Sequence, residues 1–382
     1  MMNYPRIWLS APHMGSAEQD FVNEAFATNW IAPLGPHVDA FEKQLEDYMG
    51  VAAASVLNSG TAALHLSLIE VGTQKGDIVL CQSLTFAASA FPIQYIGAEP
   101  VFIDSEPTTW NMDPQLLEQA LKDYKSKGQK VAAIIVVHLY GMPAKMNEII
   151  SIAHAYGVPI IEDAAEALGS HYYNKPCGSM GAFGVLSFNG NKIITTSGGG
   201  ALVSHDANAI KHARFLSTQA KEPFPFYQHQ VIGYNYRMSN ICAGIGRGQM
   251  LVLDQRVEAR RSVHEYYKKA LASIPSIRFL QEPEGSYSNR WLTTIYIDPL
   301  LSNGITNEHI RLKLETYNVE TRKLWKPMHL QPVFDNCQSY INGTAEDLFE
   351  HGLCLPSSSF LTEDTLQFVA QLIIAIFNER ES

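Results

Sequence analysis

The chain is short of the features that mark secreted, membrane-spanning or nucleic-acid-binding proteins. It has five cysteines in 382 residues (Cys81, Cys177, Cys242, Cys337 and Cys354), and no C-x-x-C pair. An odd, dispersed set argues against a disulfide frame or a cysteine-based metal site and fits reduced thiols. No apolar run approaches the roughly 18–20 residues of a membrane span. The opening MMNYPRIWLS lacks the charged start and apolar centre of a secretory signal. A cytoplasmic location is therefore expected. Positive charge is scarce as well: 28 Lys and Arg against 38 Asp and Glu give a formal net charge of −10. That balance argues against nucleic acid or an anionic membrane as the main partner, although scattered cations can still form a local anion pocket.

Several catalytic motifs are missing too. The only lysine near a glycine-rich stretch, Lys192, is followed by Ile193 where a phosphate-binding P-loop needs Ser or Thr. Gly244-Ile-Gly246-Arg-Gly248 has the wrong spacing for a dinucleotide fingerprint and no strand before it. Neither His138 nor His329 has a neighbour at metal-ligand spacing, and no G-x-S-x-G elbow occurs. No metal is expected.

What is present is a chain that is 46% hydrophobic and only 17% charged, enough for more than one core. From about residue 50 to 205, short apolar runs alternate with helical patterns. Strands are expected at 55–57, 77–81, 100–103, 131–138, 158–161 and 184–188, and helices at 61–71, 114–127 and 146–156. Continuous apolar strands alternating with amphipathic helices indicate an α/β layer with a largely parallel sheet, whose strand C-terminal ends carry function. Beyond Arg237 the pattern changes: one long helix is expected over 240–267, then a strand at 291–297 and helices at 307–317 and 365–379. A second, smaller domain is expected from 256 onward.

Three segments carry chemistry. Val158–Glu166 is an apolar strand ending in acids, with Asp163 at its tip; such an Asp is also a helix cap or a Mg²⁺ ligand elsewhere. Ser187–Gly200 places Lys192 between a strand and a glycine-rich turn. A lysine that bonds a carbonyl must be held in place and deprotonated, whereas a loop lysine is ordinarily just solvated. Asn58-Ser-Gly60-Thr61 leads from a strand into an Ala- and Leu-rich helix. Its N-terminus is either a phosphate site or an ordinary capped start. Together they supply what pyridoxal phosphate (PLP) needs: a phosphate cradle, a carboxylate for the ring nitrogen and a lysine for the aldehyde carbon. Phe86 is an aromatic available to stack on a ring or to fill the core.

These segments, with Gly233–Asn240, resemble in order the DegT/DnrJ/StrS-type nucleotide-sugar aminotransferases, and the resemblance runs along essentially the whole chain. Segments 9–15, 29–35, 187–200 and 320–329 are similar to the 4-aminotransferases of bacterial bacillosamine biosynthesis. The resemblance implies the aspartate-aminotransferase fold (PLP fold type I). A large α/β/α PLP-binding domain over 1–255, with a mostly parallel seven-stranded sheet, would be followed by a smaller C-terminal α/β domain over 256–382. It implies that Lys192 bonds the cofactor and moves the proton, that Asp163 pairs with the ring nitrogen and that Glu166 contacts the ring hydroxyl. Gly60, Thr61 and Ser187 would contact the phosphate. Asn235 would reach the phosphate in the other subunit, making a homodimer with shared active sites. Asn29, Trp30, Ile31, Ala32, Asn189, Trp325, Lys326, Pro327, Met328 and His329 would line the sugar-nucleotide pocket, and Arg237 would bind a diphosphate or a carboxylate. The implied reaction moves the amino group of L-glutamate to C4 of a UDP-linked 4-keto-6-deoxy amino sugar. A C3 or dTDP-linked keto-sugar aminotransferase is the nearer alternative and a silent PLP-binding regulator the remoter one. Lys192, where a dehydrating subgroup carries His, excludes that subgroup.

Overall fold

The computed structural model describes residues 5–378. Its central sheet has seven principal strands: β1 (Ala53–Leu57), β2 (Ile78–Gln82), β3 (Glu99–Ile103), β4 (Val131–Val137), β5 (Ile160–Asp163), β6 (Phe183–Ser187) and β7 (Gly200–Ser204). They lie in the order β1-β7-β6-β5-β4-β2-β3, and a two-residue strand, Ser339–Tyr340, pairs with β3 as an eighth. Only β7 runs antiparallel to its neighbours, so β1 and β6 still point the same way as the rest.

The strands read as unbroken apolar runs because helices cover both faces. Along β4, Ala133 and Ile135 pack with Leu64, Leu66 and Leu68. Ile134 and Val136, pointing the other way as a period of two requires, pack with Leu117, Leu121 and Ile149. A further core joins β1 and β7 to α2 (Pro36–Met49), through Phe41, Leu45 and Val56. α1 (Ala17–Ala27) precedes α2, and α3 (Gly60–Glu70) follows β1 directly.

Two readings need correction. The stretch 240–267 is two helices, Asn240–Met250 and Leu253–Ala270, not one. The first ends in i→i+3 bonds from Leu251 to Gly248 and from Val252 to Gln249. Its glycines are weak helix formers, retained where bulk does not fit: a Cβ on Gly246 would run into the Phe41 ring, and one on Gly248 into α1 at Glu18. The other is β7, a strand that the sequence does not announce: it follows Gly198 and Gly199 and itself begins at Gly200.

The later part of the chain forms an antiparallel sheet of Ile277–Phe279, Thr293–Ile297, Gly352–Leu355 and Arg322–Lys323, in that order. Helices Leu253–Ala270, Asn307–Thr316 and Glu363–Asn378 pack on it around Tyr267, Ile295, Ile310, Leu353 and Ile373. The chain crosses between the two cores twice outside the 255/256 division. Ile7 bridges Val319, and Ser339–Tyr340 joins the large sheet. Among the described residues no helix is long and apolar enough to cross a membrane.

Candidate active site

The C-terminal ends of β1, β2, β4, β5 and β6 open on one cavity of about 800 Å³, roofed by the second core through Trp291, Arg322, Lys323 and Trp325. At the end of β1, Ser59 caps α3 by accepting the Ala62 N–H at 3.0 Å. The next free N–H groups, of Gly60 and Thr61, belong to the helix's first turn and have no intrahelical acceptor; both residues line the cavity. β7 begins against this turn. A Cβ on Gly200 would overlap the backbone of Ser59 and Gly60, so a bare α-carbon is needed for the close approach. The helix end presents partial positive charge and open donors, which suits a phosphate.

At the end of β5 the alternation of a strand separates two acids. Glu162 turns away from the cavity, fully buried, and accepts N–H bonds from Gly178 (2.8 Å), Met180 (2.6 Å) and Gly181 (2.5 Å). It also meets His138 Nε2 at 2.8 Å. The Ala144 N–H donates to His138 Nδ1 (3.1 Å), so the ring proton sits at Nε2. Asp163 faces the cavity. Its Oδ2 accepts from the Ser89 hydroxyl at 2.6 Å and its Oδ1 from the Ala165 N–H at 3.1 Å. Because Ser89 spends its proton on Asp163, it accepts from Thr85 at 2.7 Å.

Lys192 reaches the same space from the turn after β6. Its Nζ stands 3.2 Å from Glu166 Oε1 and 4.1 Å from the centroid of the Trp291 ring. Burial pushes the Glu166 carboxyl up to about 7, against the opposing pull of the Lys192 ammonium and of the Tyr140 N–H that donates to Oε2 at 2.7 Å. Trp325 packs at 5.1 Å from Tyr140 and 5.6 Å from Phe86, which is exposed on the cavity wall.

The structure therefore brings Gly60, Thr61, Phe86, Asp163, Glu166, Ser187, Asn189, Lys192 and Trp325 onto one cavity. It does not bring the others there. Arg237 does not reach the cavity: its largely buried side chain donates through Nη1 to Glu42 Oε1 at 2.6 Å and to Val56 O at 3.1 Å. Lys326, Pro327, Met328 and His329 also stand off the cavity. Residues 328–330 make a single tight turn that buries Met328 in the core, while His329 joins Ser83 Oγ (2.6 Å) to Glu346 (3.1 Å). Asn29, Trp30 and Ile31 are exposed and Ala32 partly so, outside the cavity, as is Asn235, whose carbonyl accepts from Asn58. Sequence reasoning missed Ser89, Trp291, Arg322 and Lys323, which line the cavity. In the sequence Trp291 looks like the start of a strand, and the arginine–lysine pair lies within the segment 320–329.

The residues present fit pyridoxal phosphate. The donors at α3 match its phosphate, the buried Asp163 its ring nitrogen and the Lys192 amine its aldehyde, and the bare Gly200 keeps the phosphate cradle open.

Comparison with known proteins agrees. The DegT/DnrJ/EryC1/StrS aminotransferase family model matches residues 12–374. A Bacillus subtilis protein named as a pyridoxal phosphate-dependent aminotransferase, EpsN, is 52% identical over 382 residues, covering 99% of this chain and 97% of that protein. A GDP-perosamine synthase of Caulobacter vibrioides is 36% identical over 366 residues, covering 95% of this chain and 96% of its own. The crystal structure of a DegT DnrJ EryC1 StrS aminotransferase from Brucella abortus matches with a TM-score of 0.88 at 29% identity, over 94% of this chain and 95% of that one. The chain belongs to the DegT/DnrJ/EryC1/StrS aminotransferase family, with its fold type I architecture, and is a pyridoxal phosphate-dependent sugar aminotransferase.

Proposed function

We propose that the enzyme moves the amino group of L-glutamate to C4 of UDP-2-acetamido-2,6-dideoxy-4-keto-hexose, giving UDP-4-amino-4,6-dideoxy-N-acetylglucosamine and 2-oxoglutarate, in the cytoplasm. The observation that carries the transaminase chemistry is the convergence of Lys192, Glu166 and Asp163 on one cavity beside the open first turn of α3. The sugar and its nucleotide are supported by the segments 9–15, 29–35, 187–200 and 320–329.

Bound PLP supplies a carbonyl that links to amines and a ring that accepts electrons. The chain's own residues do the rest. The first turn of α3 binds the phosphate through the Gly60 and Thr61 N–H groups, with Ser187 beside it. Asp163, fixed in place by the Ser89 hydroxyl and the Ala165 N–H, would pair with the ring nitrogen. Lys192 Nζ takes the Cα proton of glutamate in the first half and delivers a proton to C4 of the sugar in the second. Glu166 Oε1 orients that amine and, poised near neutral pH, exchanges a proton with it. Phe86, Trp291 and Trp325 wall the cavity and exclude water. The exposed Asn235 and Asn29–Ala32 then complete the site of a second copy, in a homodimer.

A second reading substitutes a GDP-linked 4-keto-6-deoxy sugar, favoured by the 36% identity to a GDP-perosamine synthase; a C3 or dTDP-linked acceptor is the third. The test offers purified holoenzyme L-glutamate with UDP-, GDP- and dTDP-linked keto-sugars and identifies products by mass and NMR. A C4 amine on the UDP sugar, formed at least tenfold faster than the others, supports the proposal. Preference for GDP or dTDP substrates, or amination at C3, replaces it. No 2-oxoglutarate with any of them favours a regulator.

A further inference from the structure

Arg260, on the helix Leu253–Ala270, is 1% exposed, and among the described residues no carboxylate pairs with it. Burial pulls its pKa down to about 9, still above neutral, so it remains a cation. A buried charge without a counter-ion is costly to a fold, and an apolar side chain of similar length would fill the space more cheaply.

Its bonds all lead to one place. Nη1 donates to the Trp291 carbonyl at 2.6 Å. Nη2 donates to Ser10 Oγ at 3.0 Å and approaches the Lys192 carbonyl at 3.5 Å. Ser10 in turn donates to the Asn191 carbonyl at 2.6 Å, and the Trp291 indole N–H donates to that same carbonyl at 2.6 Å. The turn is closed from within by the Lys192 N–H donating to Asn189 O at 3.0 Å. Ser10, Asn191, Lys192 and Trp291 line the cavity; Arg260 does not.

We propose that Arg260 is a positioning residue. Its guanidinium fastens the Asn189–Lys192 turn to Trp291 and to the N-terminal segment at Ser10, fixing where the Lys192 amine stands. The inference rests on Lys192 being the cofactor-bonding lysine. The planar fork matters because it serves three acceptors on three separate segments at once, which a Lys ammonium on a flexible stem does less well. Loosening the turn moves the amine relative to the reacting carbon, and a misplacement of about 1 Å costs on the order of 100-fold in rate.

The test compares R260M, R260K and wild-type holoenzyme. For R260M we expect kcat to fall at least tenfold while KM for glutamate stays within threefold. The dissociation constant of PLP by equilibrium dialysis should rise at least threefold, and Tm should hold or increase because an unpaired buried cation is gone. R260K should recover part of kcat. The proposal is overturned if kcat and PLP affinity in R260M stay within twofold of wild type. If R260M does not fold, the same limits applied to R260K decide. Borohydride reduction and peptide mapping of the wild type serve as a separate control. A label on another lysine removes the premise about Lys192, whereas a label on Lys192 with unchanged R260M kinetics removes only the role of Arg260.

Discussion

Glu166 offers the sharpest quantitative test of the site. Its carboxyl is fully enclosed and rises from an ordinary 4.5 to about 7. A carboxyl whose folded pKa lies above its unfolded one binds more protons folded than unfolded, so it subtracts stability as pH rises. The loss begins near pH 4.5 and is complete above about pH 7. At about 1.4 kcal/mol per pKa unit the ceiling is about 3 kcal/mol. Glu166→Gln keeps the shape and the acceptor for the Tyr140 N–H but never ionises. Cofactor-free protein unfolded in urea at pH 5, 6, 7 and 8 is the assay. The stability of the variant relative to wild type should climb through this window, toward a gain of at most about 3 kcal/mol at pH 8. A difference that is flat with pH, or that favours wild type increasingly as pH rises, would refute the reasoning. It would mean that the Lys192 ammonium at 3.2 Å outweighs burial.

Three further substitutions probe separate parts of the site. Asp163→Asn keeps a partner for Ser89 but loses the carboxylate proposed to pair with the ring nitrogen. A charge-assisted bond contributes about 1.5–3 kcal/mol, so kcat should drop about 10–100-fold, and a value within threefold of wild type would exclude the assigned role. Gly200→Ala forces a methyl into the backbone of Ser59 and Gly60. Overpacking costs about 1–3 kcal/mol, and PLP should bind at least tenfold more weakly by equilibrium dialysis; unchanged affinity would mean that α3 is not the cradle. Arg237→Met breaks a buried pair with Glu42 that Arg214 only partly replaces. It should lose about 3 kcal/mol in urea unfolding while the folded enzyme keeps its KM for nucleotide sugar. A tenfold rise in that KM at unchanged stability would instead support Arg237 in oxyanion binding.

Most of the central sheet could be read from the chain because parallel strands covered on both faces are continuous apolar runs, as in Ile134–Val137. The reading failed where the local signal and the tertiary requirement part. β7 was hidden by the run of glycines at its start, of which Gly200, the strand's first residue, serves the close approach to α3. The split at Leu251–Val252 has no proline to announce it. In the site, Asp163 and Lys192 were legible because strand ends in a parallel sheet share one edge. Ser89 and Trp291 were not, since each acts through a partner far along the chain: Asp163 for the one, Asn191 for the other. The place of Arg237 off the cavity was hidden for the same reason. Nothing near it in sequence shows that Glu42, on α2, accepts from its Nη1.

The flanks of the large sheet bear on how the chain behaves when partly unfolded. β1 is an outermost strand, and its exposed side is covered by the chain around Arg237: the Asn58 N–H donates to the Tyr236 carbonyl at 2.7 Å, and Leu57 bridges Arg237. At the far end, the last strand is only Ser339–Tyr340. Neither border offers a long row of unpaired peptide groups onto which a foreign strand could add. Aggregation through strand addition should therefore require release of the strap near Arg237 first, so the buried pair with Glu42 also guards the protein against self-association during heating or refolding.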